Sequence, residues 1–147
     1  MADAARHKGA MPRVVMDTNV ILSKFISTNG TSGQAFDFIL RSCTLLMCDE
    51  TLAELAAKLS EEKFFRYGSD EDRNQLVLDI EARSEFIEVK SEVSASDDPK
   101  DNIFLSLALD GRADYIVSGD KKHLLPLHPF EGIPILSPAD FLAAMRA

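Results

Sequence analysis

Between Arg13 and Leu136 the chain repeats one pattern, a short apolar run followed by a stretch with apolar residues at helical spacing. Arg13 to Met16 is the first run. Ser32 to Arg41 carries Phe36, Ile39 and Leu40 on one helical face, and Thr44 to Cys48 is the second run. Asp49 is the expected N-cap of a helix bearing Leu52, Leu55, Ala56 and Leu59. The polar stretch Glu61 to Ser69 then leads to a helix over roughly Asp70 to Ser84, and Phe86 to Val89 is the third strand candidate. A polar connection, Lys90 to Ser96, reaches Asp97-Asp98-Pro99-Lys100-Asp101-Asn102, which opens a helix with Ile103, Phe104, Leu107 and Ala108 at helical spacing. Gly111 is placed to end that helix. Tyr115 to Val117 is a fourth strand, Gly119-Asp120 starts a brief helix, and Ile133 to Leu136 is a fifth strand before a last helix from Pro138. Strands alternating with helices at this spacing imply an α/β domain with a mainly parallel sheet covered on both faces.

Residues 1–11 mix Ala, Gly, Arg and Lys without apolar periodicity and are expected to be a disordered tail, so the domain spans residues 12–147. At 147 residues and 46% hydrophobic content, one compact domain buries about 70% of its unfolded surface without disulfides or structural metal. Cys43 and Cys48 flank the second strand, far from any His or Cys partner in the sequence, and read as buried small hydrophobes. The apolar stretch Val20 to Ile26 is interrupted by Ser23 and Lys24, and no segment has the length of a membrane span or signal-peptide core. The chain is therefore expected in the cytosol.

The balance of 24 acids against 16 Lys and Arg gives a net charge of -8. A protein that holds nucleic acid by basic charge alone reads as basic. If the substrate is nucleic acid, bound divalent cations are the natural means of offsetting the repulsion. A negative balance also simply keeps a cytosolic protein soluble.

In open parallel sheets, ligands bind outside the C-terminal ends of the strands, so acids that follow strands carry the most information. Asp17 follows Val14-Val15-Met16, Asp101 starts the helix after the third strand, and Asp120 stands three residues beyond Val117. Glu54 lies about one turn inside the helix after the second strand, where a long side chain can reach back toward the same edge. Each has an ordinary alternative. Asp98 can be an N-cap with Pro99 at N1 and Asp101 at N3, Asp120 can cap the short helix through Lys121 and Lys122, and Glu54 can be a solvated charge beside Lys58. Asp17 is the hardest to explain in that way, because a carboxylate directly after a buried strand needs a partner. Four carboxylates in one crevice would repel one another and raise some of their pKa values. Hard cations such as Mg²⁺ or Mn²⁺ prefer oxygen ligands and remove that repulsion, and such a cluster can hydrolyse a phosphodiester.

These residues resemble the PIN-domain nucleases, in particular the toxin components of bacterial and archaeal toxin–antitoxin pairs. The carriers are Val-Val-Met-Asp17-Thr18-Asn19-Val20-Ile21, Cys-Asp-Glu-Thr-Leu-Ala-Glu54-Leu, Asp98-Pro-Lys-Asp101-Asn102, Ala-Asp114-Tyr-Ile-Val-Ser118-Gly119-Asp120 and Ile133-Pro-Ile-Leu-Ser-Pro138-Ala. The resemblance implies a doubly wound, five-stranded parallel sheet and a ribonuclease whose Mg²⁺ or Mn²⁺ is bound by Asp17, Glu54, Asp101 and Asp120. Asp98 would be a fifth acid near the metal, and Asn19 and Ser118 supporting polar groups. It also implies an RNA substrate, a small antitoxin partner whose basic segment enters the crevice, and a homodimer. His123 departs from the acidic or polar residue that relatives often carry there. Lys24, Lys100, Lys121 and Lys122 are candidate phosphate contacts near the expected crevice, and solvated surface charge is the alternative for each.

Three other readings compete. A haloacid-dehalogenase-like phosphatase wants a second Asp two residues after the first, where Asn19 stands. A receiver-type signalling domain wants paired acids near the N-terminus and an Asp after its third strand. A non-catalytic PIN-like module for RNA binding or scaffolding would often have lost one of the four acids.

Overall fold

The computed structural model describes residues 11–147, so the expected tail falls, apart from Met11, outside the described residues. The strands are β1 (Arg13–Met16), β2 (Thr44–Met47), β3 (Glu85–Phe86), β4 (Tyr115–Val117) and β5 (Ile135–Leu136). All are parallel, in the order β3-β2-β1-β4-β5. The α-helices are α1 (Thr18–Ile26), α2 (Thr31–Ser42), α3 (Asp49–Leu59), α4 (Asp70–Arg83), α5 (Asn102–Asp110) and α6 (Pro138–Arg146). The chain winds outward from β1 to β3, crosses back to β4 and winds outward again to β5. The reversal falls between β1 and β4, at whose C-terminal ends stand Asp17 and Ser118 to Asp120.

The two-residue period of the strands divides the core into two layers. Val14 and Met16 of β1, Leu45 and Met47 of β2 and Val117 of β4 face one layer, with buried residues from α1, α2, α3, α4 and α6. Val15, Leu46, Ile116 and Ile135 face the other, which α5 covers with Phe104, Leu105, Leu107 and Ala108. Loops complete that second layer through Ala113, Leu124 and Ile133. Helices thus lie on both faces, five on one and one on the other among the described residues. Both cysteines are buried and free.

Several boundaries differ from the sequence reading. Helix α1 occupies the stretch Val20 to Ile26, to which the sequence reading assigned no element. Asp17 is its N-cap and accepts from the Asn19 backbone N–H at 3.1 Å, while Val20, Ile21 and Leu22 turn into the core. The N-cap of α3 is Cys48, not Asp49; the Thr51 hydroxyl accepts from the Cys48 N–H at 3.0 Å. A 3-10 helix, Glu62–Tyr67, fills the polar stretch before α4, and Ser69 and Asp72 form a reciprocal capping box at the start of α4. In place of a helix from Gly119 there is a turn, then a 3-10 helix at Leu125–Leu127. Strand β5 is only two residues long, because Ile133 is held in a mutual backbone pair with Phe130. Gly111 does end α5, but the left-handed residue is Arg112, with φ 54°. Gly111 is needed for space: a Cβ there would stand 2.8 Å from Leu46 Cδ1 and 2.9 Å from the Leu107 carbonyl oxygen.

The third strand ends early for a reason that matters to the site. After Ile87 donates to the Met47 carbonyl at 2.8 Å, the chain is drawn along α5. There a stripe of Asn102, Ser106 and Asp110, four residues apart, accepts backbone N–H groups: Asn102 from Ser96 at 2.8 Å, Ser106 from Val93 at 3.3 Å, and Asp110 from Lys90 and Ser91 at 2.6 and 2.8 Å. This strap delivers Asp98 and Asp101 to the N-terminus of α5, at the same sheet edge as Asp17.

Candidate active site

Asp17 is the most buried of the candidate site acids, 4% exposed. It leaves β1 with its backbone N–H on the Val117 carbonyl, 2.9 Å away. One carboxylate oxygen accepts from the Asn19 N–H, and the other from the hydroxyl of the fully buried Ser118 at 2.8 Å. Burial raises its pKa above the ordinary carboxylate range, the two hydrogen bonds oppose this, and the charges of Asp120 and Glu54 add to the rise. Ser118 also accepts from the Asp120 backbone N–H at 3.0 Å, so one hydroxyl ties β1 to the segment that carries Asp120. The Asp120 carboxylate accepts from the N–H groups of Lys122 at 3.0 Å and His123 at 2.9 Å. Burial acts to raise its pKa, but those backbone donors, a hydrogen bond from Asp101 and the charge of His123 together bring it below the ordinary carboxylate value.

Asp101 sits at the foot of α5. Its pKa is pushed up to about 6, first by burial, then by the charge of Asp120, by a hydrogen shared with Asp120, and by the charges of Asp98 and Asp17. Ionised, neither Asp101 nor Asp120 can donate, so a shared hydrogen exists only while Asp101 is protonated. With Asp101 ionised, its Oδ2 is the one buried side-chain N or O atom without a hydrogen-bond partner among the described residues. Glu54 reaches the cluster from α3, where it accepts from the hydroxyl of buried Thr18, the first residue of α1. Asp98 caps the 3-10 turn Pro99–Asp101 through the Lys100 N–H at 3.1 Å. The ordinary capping reading therefore holds for Asp98, while Asp120 holds a turn through Lys122 and His123 and not a helix through Lys121 and Lys122, and both also act electrostatically on Asp101 or Asp17.

A family model described as PIN domain matches residues 13–122. The chain belongs to the PIN domain family. It is also 30% identical over 111 residues to the uncharacterized protein MJ1680 of Methanocaldococcus jannaschii, an alignment covering 74% of this chain and 71% of the relative. The crystal structure of VapBC2 from Rickettsia felis bound to a DNA fragment from their promoter contains a chain of the same fold. Against it the TM-score is 0.56 at 15% identity, over 85% of this chain and 98% of that one.

The remaining predicted residues of this PIN domain are spread around the cluster. A cleft of about 550 Å³ opens above Asp120 and is lined by Asn19, Ser23, Lys121 and Lys122, both lysines exposed. Asn19 serves Asp17 through its backbone N–H, and its side chain is exposed to the cleft. Lys24 is turned away to Asp37, 3.0 and 3.2 Å from the two carboxylate oxygens. Lys100 is exposed on the turn before α5, and His123 is half-buried beside Asp120. Among the described residues no three His, Cys, Asp or Glu side chains are gathered closely enough to grip an ion together. Sequence reasoning passed over Thr18. Its signal was present, a hydroxyl residue directly after the buried Asp17, but its target, Glu54, lies 36 positions away.

Proposed function

We propose that this PIN domain is a metal-dependent ribonuclease, the toxin of a toxin–antitoxin pair. The observation that carries the reading is the concentration of unneutralised acid at the switch point: Asp101, with a buried oxygen that has no partner, lies within electrostatic reach of Asp120, Asp98 and Asp17. No lysine or arginine is ion-paired to these acids among the described residues.

The donor set fits Mg²⁺ or Mn²⁺, being all oxygen. Mg²⁺ keeps several of its waters and takes only one or two carboxylates directly, which a loose arrangement of acids accommodates. One or two of Asp17, Asp101 and Asp120 would bind the ion directly and the others through its waters, with Glu54 behind them and Asp98 at the rim. A bound ion supplies positive charge that orients a phosphate, activates water and stabilises the leaving oxygen. The protein's own contribution is fixation. Ser118 and the Asn19 N–H hold both oxygens of Asp17, Thr18 holds Glu54, and the turn at Lys122 and His123 holds Asp120. Lys121 and Lys122, on the wall of the cleft, would meet the phosphates of the RNA. The resemblance to toxins extends the proposal to an antitoxin with a basic segment that occupies the acidic crevice, and to a homodimer.

Incubation of purified protein with mixed RNA, resolved on a denaturing gel, tests the reading. Cleavage is expected with Mg²⁺ or Mn²⁺ and none in excess EDTA. Vigorous cleavage in EDTA, or none with either ion, would refute it.

A further inference from the structure

On α1, Asn19, Ser23 and Ile26 stand at positions i, i+4 and i+7 and form an exposed stripe. The cleft above Asp120 lies to one side of it. To the other side, between α1, α3 and the 3-10 helix Glu62–Tyr67, lies a second cleft of about 380 Å³ that also holds Lys58, Lys63 and Tyr67. Asn19 and Ser23 line both. The two clefts therefore adjoin at Asn19 and Ser23, as a groove crossed by the exposed stripe of α1, with Lys121 and Lys122 in one reach and Lys58 and Lys63 in the other.

We propose that this groove is a binding track for single-stranded RNA, in which Lys58 and Lys63 take phosphates and Tyr67 stacks a base beyond the acidic cluster. The inference rests on the ribonuclease reading and adds the direction in which the substrate leaves the site. In a chain of net charge -8, two lysines line each reach of the groove, and only the reach at Lys121 and Lys122 also holds an acid, Asp120. Half-buried Lys58 has no ion pair among the described residues, and Lys63 has only a loose one, 3.4 Å to exposed Glu61. Tyr67 is 41% exposed, with the Arg66 guanidinium 5.4 Å from its ring centre.

Cationic side chains beside an aromatic face bind single strands without reading their sequence. A duplex keeps its bases stacked inside and could not use Tyr67, and a basic peptide would be repelled by Lys58 and Lys63. The wall that carries Tyr67 is also fixed in place. Gly68 passes so close to α1 that a Cβ there would stand 2.7 Å from Phe25 Cζ. Arg73 donates to the Gly68 carbonyl at 2.8 Å and lies 4.4 Å from the Phe65 ring centre.

The test is fluorescence anisotropy of a fluorescein-labelled ten-nucleotide single-stranded RNA with the full chain in Mg²⁺, using Asp101→Asn as the parent to suppress cleavage. Replacing Lys58 and Lys63 by Ala should weaken binding about tenfold and reduce the log–log salt slope by about 1.4, the share of two phosphate contacts on a single strand. Tyr67→Ala should cost at least about fivefold and Tyr67→Phe little, because stacking needs the ring and not the hydroxyl. Circular dichroism confirms that each variant folds. Unchanged affinity and slope overturn the track while leaving the ribonuclease reading intact. A nona-arginine peptide whose binding these changes strengthen, with RNA affinity unmoved, would make the groove a protein-docking surface and also overturn it. A parent that binds no RNA overturns both.

Discussion

At the scale of single residues, Asp17 is where a metal site and a merely structural acid make opposite predictions. Its pKa is raised chiefly by burial, so at neutral pH its ionisation opposes folding. Asp17→Asn should therefore leave the metal-free protein as stable as the parent or more so. The same change should abolish cleavage and shrink the thermal shift caused by Mn²⁺, since an ion that binds only the folded state stabilises it in proportion to its affinity. A structural acid would instead cost about 1–3 kcal/mol with or without metal. Melting curves of both proteins in EDTA and in Mn²⁺ decide between them. Asp17 and Asp120 were legible at one edge because each follows closely on an apolar run, whereas Glu54 comes from inside a helix and Asp101 only after a long polar connection. The hydrogen bonds that hold them were less so. Asn19, expected as a supporting polar group, holds Asp17 through its backbone N–H, a group that every non-proline residue carries and no sequence can single out. Lys24 showed only its charge, and its partner Asp37 comes from the next helix.

At the scale of elements, the strap along α5 sets where Asp98 and Asp101 stand. Asp110 anchors its far end, and the Ser91 hydroxyl, the Ser91 and Lys90 N–H groups and the Lys90 charge lower its pKa against a small opposing effect of burial. A folded-state pKa below the unfolded one stabilises the protein above the ordinary carboxylate value of about 4, and that contribution fades as pH falls through the folded value. Asp110→Asn should thus cost about 1–2 kcal/mol at neutral pH. The gap to the parent should close under acid, as read by urea denaturation at pH 7 and pH 3. A gap independent of pH would show that the strap does not depend on that charge. The strap also explains why β3 was expected too long: Ile87 and Val89 are apolar enough for a strand, yet they pack under α5. Helix α1 was missed for the converse reason. Its buried turn, Val20 to Leu22, is only three residues long and is followed by polar ones, and its N-cap is the candidate catalytic acid itself.

At the scale of the whole molecule, the alternation of runs and helices was enough to give a mainly parallel sheet covered on both faces, the family resemblance added its five-stranded, doubly wound form, and no helix among the described residues is long and apolar enough to cross a membrane. What alternation could not convey is how unequally the two faces are covered. Asp17 and Glu54 belong to elements packed into the layer built by five helices, whereas Asp101 starts α5, which covers the opposite layer with loops for neighbours. An ion shared between them would act as a rivet through the rim of the sheet, joining a thick slab to a thin one that can peel away first. Its grip should then be visible far from any chemistry. With Mg²⁺ present, amide hydrogen exchange should slow most along residues 99–110 and hardly at all in α2 and α6, as mass spectrometry of peptic fragments would show. Equal slowing everywhere would mean that the cation tightens the fold as a whole and fastens nothing in particular.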